Sequence, residues 1–170
     1  NTQHFRQEEQ KMLEVEMDNV EDIVALQFDL SFPTGFMPDM DSVTLSERKK
    51  DHLLATTRLN DNSIRLVVYS PGQQAFIGQA GVVLKIPFIA DTTINAGEYK
   101  IHFSNALMSN KNSENVLYGS IDGNLHILER NYPPIANAGQ DRTVIAGTTV
   151  TLDGTASTDS NNDSLSYSWM

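Results

Sequence analysis

Three oxygen-bearing side chains have the alternate spacing of a calcium-binding loop. Asp159, Asn161 and Asp163 lie at every second position of the stretch 159–163, and carboxylate and amide oxygens are the ligands that Ca²⁺ prefers. Ser164 stands where an EF-hand loop has glycine, and no glutamate occurs among the residues that follow, so the stretch is not an EF-hand. The stretch is either a Ca²⁺ site of another kind or a turn rich in aspartate and asparagine.

A second group of side chains has the chemistry of a protein-binding surface. Arg65, Val67 and Tyr69 alternate along one stretch, and Val83 and Lys85 alternate along another. Side chains at every second position of a strand point to the same side, so these residues face outward if the intervening set forms the core. Tyrosine and arginine are enriched at the centres of interfaces. We therefore predict that these five residues form a docking surface, unless loops or a second domain cover them.

Residues able to perform catalysis are present but lack a catalytic spacing. The four histidines are His4, His52, His102 and His126, and none has a second metal ligand or a nucleophile at a motif spacing. No serine lies in a Gly-x-Ser-x-Gly sequence, and the glycines form no phosphate-binding loop. We expect the histidines to lie on the surface and the protein not to be an enzyme.

Composition and charge argue against several classes of function. The 170 residues include 12 Lys and Arg against 22 Asp and Glu, a formal net charge of −10, which disfavours binding to nucleic acids and to anionic membranes. Cysteine is absent, so disulfides and thiolate metal sites are excluded. No apolar run is long enough to cross a membrane.

Alternation of apolar and polar residues predicts β-strands over much of the chain. In the stretch 23–33, Val24, Leu26, Phe28 and Leu30 share one side with Phe32, and such a side needs a second sheet to cover it. Further strands are predicted at 12–18, 42–47, 53–59, 63–70, 81–90, 98–107, 116–121 and 125–128. The prediction is an all-β sandwich of about nine strands, of jelly-roll type.

Several local features follow from this strand pattern. We expect 12–18 to pair with 23–33, and Asp122-Gly123 to form a hairpin turn, because this dipeptide favours positive φ. The basic run 48–52 is expected to be a solvated turn. The outward side of 23–33 carries small and polar residues, and we expect it to take no part in binding.

The composition changes at residues 130–134, where Pro133-Pro134 predicts a semi-rigid linker between domain 1–129 and domain 135–170. Short strands are predicted in the second domain at 143–145, 148–152 and 165–169. We expect this segment to be the first part of a β-domain. Since bare sheet edges favour pairing, it should contact another chain or pack on the first domain.

The second domain resembles a polycystic-kidney-disease (PKD) repeat. The resemblance rests on Pro133-Pro-Ile-Ala-Asn-Ala-Gly-Gln-Asp141, Val150-Thr-Leu-Asp-Gly154, Ala156-Ser-Thr-Asp159, Asp163 and Tyr167-Ser-Trp169. It implies part of an immunoglobulin-like sandwich with Trp169 buried in its core. It also implies a spacer or adhesive module of a bacterial extracellular or surface protein.

The first domain resembles a cohesin. The resemblance rests on the stretches 20–33, 81–89, 97–103 and 118–127. It implies a nine-strand jelly roll and a non-catalytic module that docks a dockerin on one sheet face. Some carbohydrate-binding modules share this fold, so fold alone does not decide the ligand.

Three hypotheses about function follow, and all place the protein outside the cell or on its surface, with any signal peptide already removed. The leading hypothesis is a cohesin-like binding module followed by a PKD spacer. The alternative is a carbohydrate-binding module, although the first domain lacks tryptophan and its tyrosines Tyr69, Tyr99 and Tyr118 are scattered. In the third, both domains only space other parts of a larger protein.

Overall fold

The computed structural model describes residues 2–169, except for the side chains of Thr2 and Gln3. The chain divides into two compact units, Asn1–Glu129 and Arg130–Met170. No helix occurs in the described range, and hence none that could span a membrane. The prediction of an all-β protein is confirmed.

The first unit contains the strands of the described chain. They are β1 (Thr2–Phe5), β2 (Gln10–Glu16), β3 (Ile23–Ser31), β4 (Phe36–Pro38), β5 (Thr44–Leu45), β6 (Leu53–Asn60), β7 (Ser63–Tyr69), β8 (Val82–Ala90), β9 (Gly97–Asn110) and β10 (Gly123–Ile127). One sheet has the order β1-β10-β9-β3-β7-β6, and the other has the order β2-β8-β4 with β5 also paired to β8. Every pairing is antiparallel except that of β1 with β10.

The core lies between the two sheets and is built from the alternating positions of the central strands. In the register of β3 with β7, Phe28 lies opposite Leu66 and Leu30 opposite Ile64, and all four side chains are buried. Burying a large apolar side chain contributes about 1.5–3 kcal/mol. The inward side of β3 therefore holds the six-stranded sheet against its partner.

A cluster of phenylalanines closes one part of the core. Phe88 of β8 packs against the rings of Phe5, Phe32 and Phe36, with ring centroids 5.4 to 6.2 Å apart. These residues come from both sheets and from the turn after β3. Their contacts connect the two layers, and tilted or edge-to-face ring pairs stabilise such cores.

The predicted hairpin at Asp122-Gly123 is wrong. Residues 116–121 form no strand, and Gly123 begins β10, where it lies opposite Ile101 of β9. The carboxylate of Asp122 accepts a hydrogen bond from the Phe103 N–H at 3.0 Å. This side chain joins its segment to β9, so the aspartate that suggested a turn has another structural role.

The pairing of the first strands also differs from the prediction. The strand near 12–18 pairs with β8, with Leu13 opposite Ile86, and not with β3. Consecutive strands of a sandwich often lie in different sheets, and the connection at 17–22 makes that change here. Sequence reasoning missed β1 and β4, because strands of four and three residues are too short to show a period.

The basic run 48–52 is not a solvated turn, because Arg48 is buried. Its guanidinium donates hydrogen bonds of 2.8–2.9 Å to the backbone oxygens of Met17, Ile77, Gly78 and Gly81 and to the side-chain oxygen of Asn19. Arginine has five N–H donors, and each is used here. Arg48 thereby joins the end of β2 to the loop before β8.

The second unit contains little regular structure. Ile135 and Thr158 form an isolated antiparallel bridge with hydrogen bonds of 2.7 and 3.0 Å. The strands predicted at 143–145, 148–152 and 165–169 are absent, and Trp169 is exposed rather than buried. An extended segment becomes a strand only beside a pairing partner, and the described residues supply none for these three segments.

Candidate docking face

The outward side of four neighbouring strands forms one continuous surface, which we call the outer face. Across the sheet, the outward positions run from β6 through β7 and β3 to β9. One row contains Leu53, Tyr69, Ala25 and Ser109, the next contains Ala55, Val67, Gln27 and Leu107, and a third contains Thr57, Arg65, Asp29 and Ser104. The registers of the strands therefore bring together residues that are far apart in the sequence.

The outer face holds three of the five predicted partner-binding residues. Arg65, Val67 and Tyr69 lie on it, at the outward positions of β7. Val83 and Lys85 belong to β8 in the other sheet, where Lys85 forms an ion pair with Glu14 at 3.2 Å. The five residues do not share a face, so that prediction is corrected.

Val83 is also not exposed. The register of β2 with β8 moves from Leu84 opposite Val15 to Val82 opposite Glu16, so Val83 is the extra residue of a β-bulge. A bulge breaks the simple alternation of sides along a strand. The Val83 side chain packs in the core and is 1% exposed, which excludes it from any surface.

A hydrogen-bonded triad lies at the centre of the outer face. Asp29 of β3 is 3% exposed. It accepts from Arg65 Nε and Nη2 at 2.7 and 2.8 Å, and from Asn105 Nδ2 at 2.7 Å. The pKa of Asp29 is lowered, chiefly by the hydrogen bonds from the Arg65 guanidinium and also by the hydrogen bond from the Asn105 amide. Burial of Asp29 acts in the opposite direction and raises this pKa. Asp29 is therefore charged and holds Arg65 in one orientation.

A β-bulge in β9 positions the third member of the triad. The register passes from Leu107 opposite Gln27 to Ser104 opposite Asp29, so two residues of β9 lie beside the single residue Phe28. Asn105 has a φ of +48°, a conformation that asparagine tolerates better than most residues. The bulge places the Asn105 amide within hydrogen-bonding distance of Asp29.

Large apolar side chains lie on the outer face to one side of this triad. Leu53, Tyr69 and Leu107 are 49%, 44% and 48% exposed, and they lie at outward positions of β6, β7 and β9. Sequence reasoning missed Leu53 and Leu107, and it assigned the outward side of β3 no part in binding. The structure shows that β3 and β7 are neighbours and share a face, so the outward side of β3 lies beside the predicted docking residues of β7. Asp29, a charged residue at an outward position of β3, is the feature of the sequence that could have indicated this side of β3.

A second set of hydrogen bonds fixes one end of the outer face. The Asp51 carboxylate, just before β6, accepts from the Ser70 hydroxyl at 2.5 Å and from the Gly72 N–H at 2.8 Å. The Ser70 hydrogen bond is the main cause that lowers the pKa of Asp51. These contacts join the start of β6 to the end of β7, where Leu53 and Tyr69 lie opposite each other.

His52 supports the same corner from below and is buried, contrary to the expected surface position. Its ring stacks on Phe76 at 3.8 Å, and its Nδ1 accepts a hydrogen bond from the Lys50 N–H at 3.2 Å. Its Nε2 is buried and has no hydrogen-bond partner. Burial lowers the pKa of His52, so the imidazole is neutral in the folded protein.

A groove of about 490 Å³ opens beside β2 and the segment 117–125. Core side chains such as Leu13 and Phe28 form much of its lining, and Asp122 lies at one side. His102 Nδ1 and Asp122 Oδ2 are 2.8 Å apart, and the Phe103 N–H is the main cause that lowers the pKa of Asp122. Among residues 2–169, no group of three histidine or acidic side chains could hold a metal ion.

The predicted calcium loop forms a turn that uses its own oxygens. Asp159 Oδ1 accepts from the backbone N–H groups of Asn161 and Asp163 at 2.7 and 3.2 Å. The Asn161 side chain accepts from the Tyr132 N–H at 2.9 Å and donates to the Arg130 carbonyl at 2.8 Å. These contacts favour the Asp/Asn-rich turn, and Ca²⁺ binding at this loop stays a prediction.

Residues 131–170 match the family model of the PKD domain, which confirms the resemblance of the second unit. No curated protein matches the chain.

Solved cohesin structures match the first unit. The cohesin CaCohA2 from Clostridium acetobutylicum, in a complex with a variant of CaDoc0917, is 14% identical with a TM-score of 0.67, over 75% of this chain and 95% of that chain. A non-cellulosomal cohesin from the archaeon Archaeoglobus fulgidus is 14% identical with a TM-score of 0.62, over 75% and 87%. The OlpA cohesin of Clostridium thermocellum, in a type I cohesin–dockerin complex, is 14% identical with a TM-score of 0.63, over 75% and 94%.

Identity this low establishes a common fold and nothing finer. The first unit thus has the jelly-roll fold of cohesins, and the predicted fold class is confirmed.

Proposed function

We propose that this protein is a non-catalytic module that docks a dockerin-like protein on its outer face. The observation that carries the proposal is the ion pair of buried Asp29 with partly exposed Arg65, which shares the outer face with exposed Leu53, Tyr69 and Leu107. Most binding energy comes from a few central aromatic, aliphatic and arginine side chains. The cohesin fold of the first unit, found in complexes with dockerins, supports this partner class.

The outer face supplies two kinds of contact to such a partner. Arg65 uses Nε and Nη2 on Asp29, so its Nη1 N–H groups can donate to an oxygen of the partner. Leu53, Tyr69 and Leu107 provide apolar area that is removed from water on docking. Because Asp29 already orders Arg65, the arginine loses little freedom when the partner binds.

The second unit serves as a spacer in this proposal. Its match to the PKD domain and the cohesin fold of the first unit support an extracellular or cell-surface location in a bacterial multidomain protein. The linker at 130–134, Ca²⁺ at Asp159, Asn161 and Asp163, and a contact between chains through 135–170 are further predictions of the sequence.

The outer face, all of which lies in the described part of the chain, has no feature that favours carbohydrate binding. Sugar platforms need several exposed aromatic rings on one surface. Among the outward positions of β3, β6, β7 and β9, all in the described chain, Tyr69 is the one Phe, Tyr or Trp residue. The protein-docking function is therefore the better supported of the two.

The proposal is tested by measuring capture of purified dockerin modules by the immobilised protein, with a glycan array in parallel. We expect a dockerin to bind, and Arg65→Ala and Tyr69→Ala each to weaken binding by about tenfold or more, as central interface residues do. Lys85→Ala is the matched control, because Lys85 lies on the other sheet, and it should leave affinity unchanged. Binding to glycans alone, or loss of dockerin binding only in Lys85→Ala, would contradict the proposal.

A further inference from the structure

In the described chain, one edge of β9 is paired at both ends but has no strand partner between them. At one end, Gly123 of β10 lies opposite Ile101. At the other end, a bridge joins Ser109 to Asn115. Residues 102–108 and 116–122 lie between these two pairs and are equal in number. Both ends therefore belong to one antiparallel register, in which 116–122 could continue β10 along β9 without a gap.

The segment 117–122, which we call the strap, exposes its largest side chains. It forms no strand, Tyr118 is fully exposed, and Ile121 is 91% exposed. The groove of about 490 Å³ lies beside the strap, and its lining includes the buried side chains of Leu13, Phe28 and Leu125. Contact of water with apolar surface is unfavourable, so placing the two exposed side chains in this groove would be stabilising.

We propose that the strap closes onto β9 as a continuation of β10 and fills the groove. In the register set at its two ends, Tyr118 comes to lie opposite Ala106, and Ile121 opposite Phe103. Ala106 and Phe103 pack against the core, and residues directly opposite in an antiparallel pair project to the same side. Closure therefore turns both exposed side chains of the strap into the groove.

The closed strap needs a bulge, and the sequence has a glycine at the position for it. Val116 packs against the core and Leu125 is buried, although residues an odd number of positions apart point to opposite sides of a regular strand. β9 has such a bulge at Asn105, and Gly119 lies opposite Asn105 in the closed register. Glycine adopts bulge conformations readily. The open strap does not require it, since a Cβ at position 119 would meet no atom within 4 Å.

Contacts at one end of the strap agree with the closed register. The Phe103 N–H points toward the strap and donates to the Asp122 carboxylate at 3.0 Å. His102 Nδ1 lies 2.8 Å from Asp122 Oδ2, and these two residues are opposite each other in that register. At the other end, closure places Leu117 opposite Leu107 and so adds an apolar side chain to the outer face. Closure itself does not depend on the proposed docking function.

Hydrogen exchange followed by NMR in the isotope-labelled full chain tests the closed register. Because the Phe103 N–H points to this side, the Ile121 N–H donates to the Phe103 carbonyl when the strap is closed. The neighbouring Ser120 N–H then points away from β9 and is the matched control. After correction for sequence effects, we expect the Ile121 amide to exchange more slowly than the Ser120 amide by about tenfold or more. Equal rates overturn the proposal.

Thermal unfolding of two variants is the second measurement. Ile121→Ser removes an apolar side chain that the closed strap buries, so we expect the melting temperature of the full chain to fall by about 4 °C or more. Val20→Ser is the matched control, because Val20 is 92% exposed and does not line the groove. It should leave the melting temperature unchanged. Equal melting temperatures for the two variants would mean that Ile121 stays in water, and would overturn the proposal.

Discussion

At the scale of residues, a few polar side chains connect neighbouring strands and loops of this structure through hydrogen bonds. Asp29 and Arg65 belong to adjacent strands and form a bidentate pair at the centre of an exposed sheet face. The sequence shows an aspartate and an arginine at outward positions. It does not show that they lie opposite each other, because that depends on the register of β3 with β7.

Arg48 has a structural role that can be measured as stability. Replacing it by alanine leaves the carbonyls of Met17, Ile77 and Gly78 and the Asn19 side-chain oxygen without this donor, whereas the Gly81 carbonyl keeps its hydrogen bond from the Met17 N–H. Unpaired buried polar groups are costly, so we expect Arg48→Ala to lower the free energy of unfolding by about 3 kcal/mol or more. Urea denaturation near neutral pH measures this loss.

The neighbouring lysine provides the control for Arg48. Lys49 is exposed, and Lys49→Ala should change the free energy of unfolding by less than about 0.5 kcal/mol. Equal effects of the two substitutions would show that the hydrogen bonds of Arg48 do not stabilise the fold.

His52 makes the stability dependent on pH. Burial holds the pKa of His52 below its ordinary value of 6.5, while Asp51 acts to raise that pKa and Lys50 to lower it. When the pH falls below about 6.5, the unfolded chain binds a proton that the folded chain does not, so the free energy of unfolding decreases. The decrease continues until the pH falls through the lowered pKa of the folded state.

Urea denaturation between about pH 7.5 and about pH 5 tests this dependence. His52→Phe keeps an aromatic ring on Phe76 and should flatten the dependence on pH. His102→Gln, at an exposed histidine, should retain it. A His52→Phe curve parallel to that of the unmodified chain would contradict the role assigned to His52.

At the scale of elements, long alternating strands could be predicted and irregular ones could not. The stretches that became β3, β7 and β8 alternate over seven to nine residues, and their existence was clear from the sequence. The bulge at Val83 reversed the side of one predicted binding residue, and the bulge at Asn105 created a contact to Asp29. Bulges depend on the partner strand, so alternation in a single strand does not show them.

Sheet membership was the second limit of the sequence. Arg65 and Lys85 both lie at outward positions, but their strands belong to opposite sheets. Outward alternation says only that a residue points away from the core, and a sandwich has two outer surfaces. Three of the five predicted docking residues therefore lie together on the outer face, and the other two belong to the opposite sheet.

At the scale of the whole molecule, the two units differ in how many buried side chains stabilise them. The first unit has a core of many buried apolar side chains. The second has no buried residue among 130–169, although its sequence matches the PKD domain. The proposed docking surface belongs to the first unit.

In the proposed function, a dockerin-like partner binds the outer face of the six-stranded sheet. The most direct measurement is an NMR titration of the isotope-labelled full chain with the dockerin module that it captures. We predict that the amide signals that shift most belong to β3, β6, β7 and β9, around Arg65 and Tyr69, while those of β8 near Lys85 stay in place. Shifts concentrated on β2 and β8 would contradict this account.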